Sequence, residues 1–208
     1  MIRFRHVLAI ASLALLAPFG PAQAVNTATA NLIALDKNTS TGWLDARVEL
    51  YAPPDAKGNL GAPKVYPAQL LFARPGQFRL VLRTGAKNEY RAASNGSVVT
   101  WMDYGTGIGG QQKYADVVDP FTQAMLGVAG AITRFTAAKE IAMSANSPLR
   151  GARLATKVYG SSVVSSKAWF SNDKLIGFEF LFADNSRVFV SVLSMKQNVP
   201  TKPSDFVL

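Results

Sequence analysis

The sequence predicts an α+β fold built on one antiparallel sheet, and two observations carry the prediction. Runs of alternating apolar and polar residues follow one another directly, joined by short turn sequences, as in hairpins rather than βαβ units. Helical periodicity occurs in only two stretches, residues 25–37 and 119–144, the second lying between two blocks of strands.

The first residues stand outside that fold. Arg3, Arg5 and His6 form a positive segment, Val7 to Ala17 is apolar except for Ser12, and Pro18, Gly20 and Pro21 break any helix. Ala22-Gln23-Ala24 then has the small-x-small pattern of a signal cleavage site. The apolar run is far shorter than the roughly 20 residues needed to span a bilayer. We expect an exported, periplasmic protein whose signal (residues 1–24) is cleaved after Ala24, leaving one domain over 25–208. His6 is the only histidine and the chain has no cysteine. The mature protein can therefore form no Ser-His-Asp triad, Cys nucleophile, Cys/His zinc site or disulfide. No cofactor or metal is implied. The formal net charge of +9 falls only by Arg3 and Arg5 on cleavage, so the mature chain stays basic. Outside the cytoplasm that charge suits an anionic membrane surface, and nucleic acid is not an expected partner. The basic residues are scattered rather than blocked, which also fits plain solubility.

Val25 to Lys37 reads as a short helix, with Ala28, Leu32 and Leu35 at helical spacing. Asn38 to Gly42 is a break. Trp43 to Tyr51 alternates, Ala46, Val48 and Leu50 against Asp45, Arg47 and Glu49, as a half-buried strand does. Pro53 to Pro63 is a loop. Val65–Phe72 and Gln77–Thr84 are strands around Ala73-Arg74-Pro75-Gly76. Glu89–Ala93 and Ser97–Tyr104 form a hairpin at Asn95-Gly96, a pair suited to a type I′ turn. Gly105 to Gln112 reads as a glycine-rich loop. Asp119-Pro120 opens the second helix, whose Phe121, Met125, Val128, Ile132 and Phe135 form one apolar stripe. Thr156–Tyr159, Val163–Phe170, Leu175–Phe182 and Arg187–Leu193 are the closing strands. Phe178, Phe180 and Phe182 share one face.

Three motifs have plain structural readings. Gly105-Thr106-Gly107-Ile108-Gly109-Gly110 spells G-x-G-x-x-G, but no helical pattern follows it, so a turn is expected rather than a dinucleotide site. Ser171-Asn172-Asp173-Lys174 spells S-x-x-K, but lies between two strands rather than on one helical face. Asp116 and Asp119 could pair as acids, yet Asp119 before Pro120 reads as a helix cap. The remaining feature is an excess of aromatics on strands. Either it is an ordinary core, or one face of a curved sheet holds an apolar ligand beneath the 119–144 helix.

From Phe72-Ala73-Arg74-Pro75-Gly76-Gln77-Phe78-Arg79 onward the chain resembles the periplasmic outer-membrane lipoprotein carrier and its uncharacterised relatives. Arg74-Pro75 and Phe78 match that family's Arg-Pro-x-x-Phe element. Ser94-Asn95-Gly96 with Val99-Thr100-Trp101 resembles its turn and following Leu-Trp pair. Asp119-Pro120-Phe121 resembles the start of its lid helix, and Asn198-Val199-Pro200 with Ser204-Asp205-Phe206 its closing strand. The resemblance implies an α+β fold: a strongly curved antiparallel sheet, an unclosed half-barrel, with an N-terminal helix and a helical lid inserted between strands. It implies an apolar cavity for acyl chains. Phe78, Trp101, Phe121 and Met125 become candidate ligand-binding residues, and Arg74 a latch on lid backbone. The expected activity is that of a monomeric binding or shuttle protein for a lipid or acylated lipoprotein. An envelope sensor that uses the same fold to bind a partner protein remains open. An enzyme would have only Ser-Lys or carboxylate chemistry, and no such constellation is visible.

Overall fold

The structure, a computed structural model, describes residues 27–85, 88–116, 138–144, 147–154, 163–171 and 173–208. Helix α1 (Ala28–Asn38) leads into β1 (Thr41–Tyr51), β2 (Lys64–Ala73), β3 (Gln77–Gly85), β4 (Asn88–Asn95) and β5 (Val98–Asp103). Then come β6 (Ile108–Lys113), β7 (Ala138–Ile141), β8 (Leu149–Leu154), β9 (Val163–Ser171), β10 (Lys174–Phe182) and β11 (Arg187–Gln197). All eleven join one sheet, in the order β6-β5-β4-β3-β2-β1-β11-β10-β9-β8-β7. Every pairing is antiparallel, as hairpin connections require. The one long return is β11, which comes back beside β1. β6 and β7 are left as the two edges, so the sheet is not closed.

Alternation sorts the faces. On β1, Leu44, Ala46 and Val48 are buried, and their neighbours on β2 are Leu70, Ala68 and Tyr66. The same row continues through Leu80 and Leu82 on β3, Val190 and Val188 on β11, and Phe178 and Phe180 on β10. Phe72, Phe78, Phe170, Phe178 and Phe180 are the largest fully buried side chains. This face, the inner one, carries the core, and Ala28 and Leu32 of α1 belong to it. The outer face carries charged residues, Asp45, Arg47, Glu49, Lys167 and Glu179 among them, and a small apolar patch. There Phe206, in the short C-terminal turn Pro203–Phe206, packs on Leu71 and Ala73.

Several sequence expectations need correction. Residues 138–144 are not helical: Ala138–Ile141 forms an edge strand paired with β8. The apolar stripe stops at Phe135, and Ala138-Lys139-Glu140 has helix-favouring composition that pairing with β8 overrides. Residues 119–137 of the expected lid, with Phe121 and Met125, lie outside the described residues, as do the signal segment and the expected strand at 156–159. β8 was not anticipated, because Leu149-Arg150-Gly151 has too little alternation to read. The supposed loop 105–112 contains β6, since glycines carry no alternation signal. Gly110 is placed there by packing: a Cβ on it would meet the Trp101 indole at 3.2 Å. The Asn95-Gly96 connection is not a type I′ turn, because only Gly96 has positive φ (99°). Asn95 Oδ1 instead accepts from the N–H groups of Ser97 (2.9 Å) and Val98 (3.1 Å), which builds a longer loop. Finally, the chain end expected as a strand is a turn around Phe206.

Close backbone contact gives a direct test of the sheet. A Cβ on Gly177 would lie 2.6 Å from the Val190 carbonyl oxygen, and neither strand can yield without breaking the β10–β11 ladder. Gly177→Ala should lower unfolding free energy by about 1–3 kcal/mol in urea denaturation. An unchanged midpoint would show that this register is wrong.

Candidate functional site

The candidate site is the inner face with the helix that covers part of it. Few residues of α1 reach the core: its buried residues are Ala28, Asn31 and Leu32, with Leu35 partly buried against the same cluster. Such a narrow apolar stripe holds a helix weakly, so the polar ties at its ends matter.

At the N-terminus four N–H groups lack intrahelical acceptors. Thr27 Oγ1 accepts from Ala30 N at 3.1 Å, the usual cap. Glu140, on edge strand β7, takes the next two: Oε1 accepts from Ala28 N at 3.1 Å and Oε2 from Thr29 N at 3.0 Å. The first turn of α1 has no acid of its own, so Glu140 also supplies the negative charge that complements the helix dipole. In mid-helix, Asn31 Nδ2 donates to Asp173 Oδ1 at 2.8 Å, reaching the β9–β10 turn.

The C-terminus has no glycine cap; Thr39 leaves the helix in extended conformation. Its free carbonyls are taken by side chains from elsewhere. Asn198 Nδ2 donates to the Asn38 carbonyl at 2.9 Å, while Asn198 Oδ1 accepts from Ser40 N at 3.0 Å. Arg74 Nη2 donates to the Asp36 carbonyl and, at 2.8 Å, to Asp36 Oδ1. The Arg74 backbone N–H also donates to Ser40 O at 3.0 Å. Arg74 thus ties the C-terminal end of α1 to the β2–β3 turn. The carbonyls of residues 119–137 that it was expected to bind lie outside the described residues.

The turn that presents Arg74 is itself braced. A Cβ on Gly96, in the β4–β5 loop, would come within 2.9 Å of the Pro75 carbonyl oxygen. Only glycine lets the β2–β3 and β4–β5 turns touch there. Phe78 follows at once, fully buried, its ring 6.3 Å from that of Tyr114 in an edge-to-face pair. Trp101 lies on the same face, half-buried, stacked at 6.3 Å on Tyr90. Phe78 and Trp101 therefore share the inner face, two strands apart. The residues that sequence reasoning missed are Glu140, Asp173, Asn198 and Asp36. Asp36 lies in α1 itself, and the other three are lone polar residues in a turn or on a strand that no spacing links to α1.

Of the three motifs, the glycine-rich segment runs into strand β6, and Asp119 lies outside the described residues. Ser171 and Lys174 face each other across the β9–β10 hairpin. Among the described residues no group of three or more His, Cys, Asp or Glu could hold a metal ion. The outer face has one well-buried ion pair, Lys167 Nζ with both Glu179 oxygens at 2.9 Å, which ties β9 to β10.

No protein-family model and no curated protein matches the chain. Solved structures of similar shape include a domain described as an outer-membrane lipoprotein-sorting protein from Vibrio parahaemolyticus. It is 8% identical, with a TM-score of 0.45, over 84% of this chain and 92% of that one. Another is a LolA superfamily protein from Nitrosomonas europaea, 12% identical with a TM-score of 0.47, over 88% of this chain and 98% of that one.

Removing the Arg74 tie should act locally. Arg74→Leu deletes hydrogen bonds from a charged donor and strands the Asp36 carbonyl, a cost of about 1.5–3 kcal/mol. Amide hydrogens of α1 should exchange faster, with β10 and β11 unchanged. Wild-type protection across residues 28–38 in the variant would show that Arg74 does not hold this helix.

Proposed function

We propose that this chain is an exported binding or shuttle protein for a lipid or acylated ligand, a single domain over residues 25–208. The acyl chain would lie against the inner face of the half-barrel. Phe78 and Trp101 would contact it from the sheet, and Phe121 and Met125 from a helical lid between β6 and β7. One observation carries this reading: an extended apolar face is covered in part, over β7 to β9, by a helix held mainly through polar ties at its ends. Such a cover can leave without breaking a large apolar contact.

The magnitudes are compatible. Each tie to α1 is worth about 1–3 kcal/mol. A buried methylene contributes about 0.8 kcal/mol, so roughly eight of them would offset the loss of two or three ties. A ligand can open the cover only by its differential affinity for the open state, and an acyl chain has that affinity in quantity. Among the described residues no helix is long and apolar enough to cross a membrane. That agrees with a shuttle but bears only on helical spans.

Two measurements test the proposal. N-terminal sequencing of periplasmic protein should begin at Val25; full-length protein retained in the membrane, still carrying Arg3 and Arg5, would remove the periplasmic assignment. An environment-sensitive apolar dye should bind the folded protein. Trp101→Glu should weaken that binding by about tenfold or more while a cooperative thermal transition remains. Val65→Glu, exposed on the outer face, should leave it unchanged. Equal dye affinity in the wild type and Trp101→Glu would rule out the inner face as the ligand site.

A further inference from the structure

We propose that the outer face of β2, β3 and β4 is a docking surface for an anionic phospholipid bilayer, with Arg79 and Arg83 as the cations that take its phosphate groups. It lies on the opposite side of the sheet from the acyl-binding face and does not rest on that reading.

The patch follows from register. On β3, Leu80 and Leu82 belong to the inner face, so Arg79, Val81 and Arg83 share the outer one. Val81 has Gln69 of β2 on one side and Arg91 of β4 on the other, and Arg83 is opposite Glu89. These six residues line one open groove of about 300 Å³. None of them is buried, so the groove is a surface rather than a closed site for a small anion.

Its charge is unbalanced. Neither Arg79 nor Arg83 is in an ion pair among the described residues. Carboxylates that neighbour them already have partners. Glu89 Oε1 accepts from Arg91 Nε. On β1, Asp45 accepts from Gln69 and Ser194, and Glu49 pairs with Arg47 at 3.0 Å. In the C-terminal turn, Asp205 Oδ2 accepts from Lys202 N at 2.9 Å. Two guanidiniums are left over, and a guanidinium binds phosphate through two parallel hydrogen bonds.

Apolar side chains beside the arginines point to a bilayer rather than an acidic protein. The Arg91 guanidinium lies 5.0 Å over the ring of Tyr104, which is exposed just after β5. A tyrosine with an arginine on its face suits the head-group level, where one side meets lipid and the other water. Phe206 packs on Leu71, the cross-strand neighbour of Arg79, and the next two residues, Val207 and Leu208, are exposed. A protein docked this way keeps its inner face and α1 clear of the bilayer.

Flotation of the intact protein with vesicles tests this. Vesicles of phosphatidylcholine with phosphatidylglycerol should bind it about tenfold or more tightly than phosphatidylcholine alone, and added salt should weaken that binding. Arg79→Gln/Arg83→Gln should lose about tenfold or more. If that double variant loses its cooperative thermal transition, Arg83→Gln alone, at an exposed position, decides. Lys139→Gln/Lys174→Gln removes the same charge from exposed positions on β7 and β10 and should lose about threefold at most. Unchanged affinity in the arginine variant would overturn the proposal. An equal loss in the lysine variant would also do so, by reducing the effect to net charge. Soluble oligoglutamate binding as tightly as the vesicles would overturn it in favour of an acidic protein partner, and glycerol 3-phosphate binding as tightly in favour of a free anion. Trp101→Glu should leave vesicle binding unchanged; loss there would move the lipid contact to the inner face and overturn the docking surface.

Discussion

The double tie on α1 is the constraint on which the rest of the structure depends. Glu140 on edge strand β7 holds one end of the helix, and Arg74 after β2 holds the other. In the sheet order β2 and β7 are separated by six strand spacings, about 29 Å if the sheet were flat. An eleven-residue helix is only about 16 Å long, and it must also sit on the sheet face between its anchors. Both ties form comfortably only when the sheet curls and carries the β7 edge toward the β2–β3 turn. The curl that makes a half-barrel and the seating of α1 are thus one arrangement.

The anchors differ in how firmly the fold holds them. Arg74 rises from a turn pressed against the β4–β5 loop, with Gly96 close to the Pro75 carbonyl, and its backbone N–H is bound to Ser40. Asn198 closes the same corner by bonding both Asn38 and Ser40. The C-terminal end of α1 is therefore fixed by three chain segments. The N-terminal end depends on Glu140, in a four-residue strand paired on one side only. An edge strand with one neighbour is the easiest part of a sheet to open. If the cover over the inner face moves, the β7 end of α1 is the end free to swing, with the Arg74 corner as its pivot.

Hydrogen bonding also explains why the outer face cannot stand in for the inner one. Its interior-like features are local: the Lys167–Glu179 pair, Asp45 between Gln69 (3.1 Å) and Ser194 (2.7 Å), and the patch around Phe206. The Ser194 and Gln69 hydrogen bonds hold the Asp45 carboxyl below the usual carboxylate range, outweighing its partial burial. These contacts pin neighbouring strands together. They leave no continuous apolar surface, whereas the inner face from Leu82 to Phe178 is apolar up to Lys64 at the start of β2.

What the sequence by itself determined is everything that a local period or a turn residue can encode. Alternation placed β1 to β5 and β9 to β11 and chose their buried faces, Phe178, Phe180 and Phe182 among them. The lack of cysteine, and of any histidine beyond His6, excluded whole classes of chemistry. Only the tertiary structure decided what depends on residues distant in the chain. Ala138–Ile141 becomes a strand because β8 offers it a ladder, and Ile108–Lys113 because Trp101 needs the space that Gly110 leaves. Glu140, Asp173 and Asn198 acquire roles only where the chain brings them to one helix, and Asp36 of that helix only where it brings Arg74 there. A single polar side chain has no periodicity, and the partner that gives it meaning lies 38 to 160 residues away.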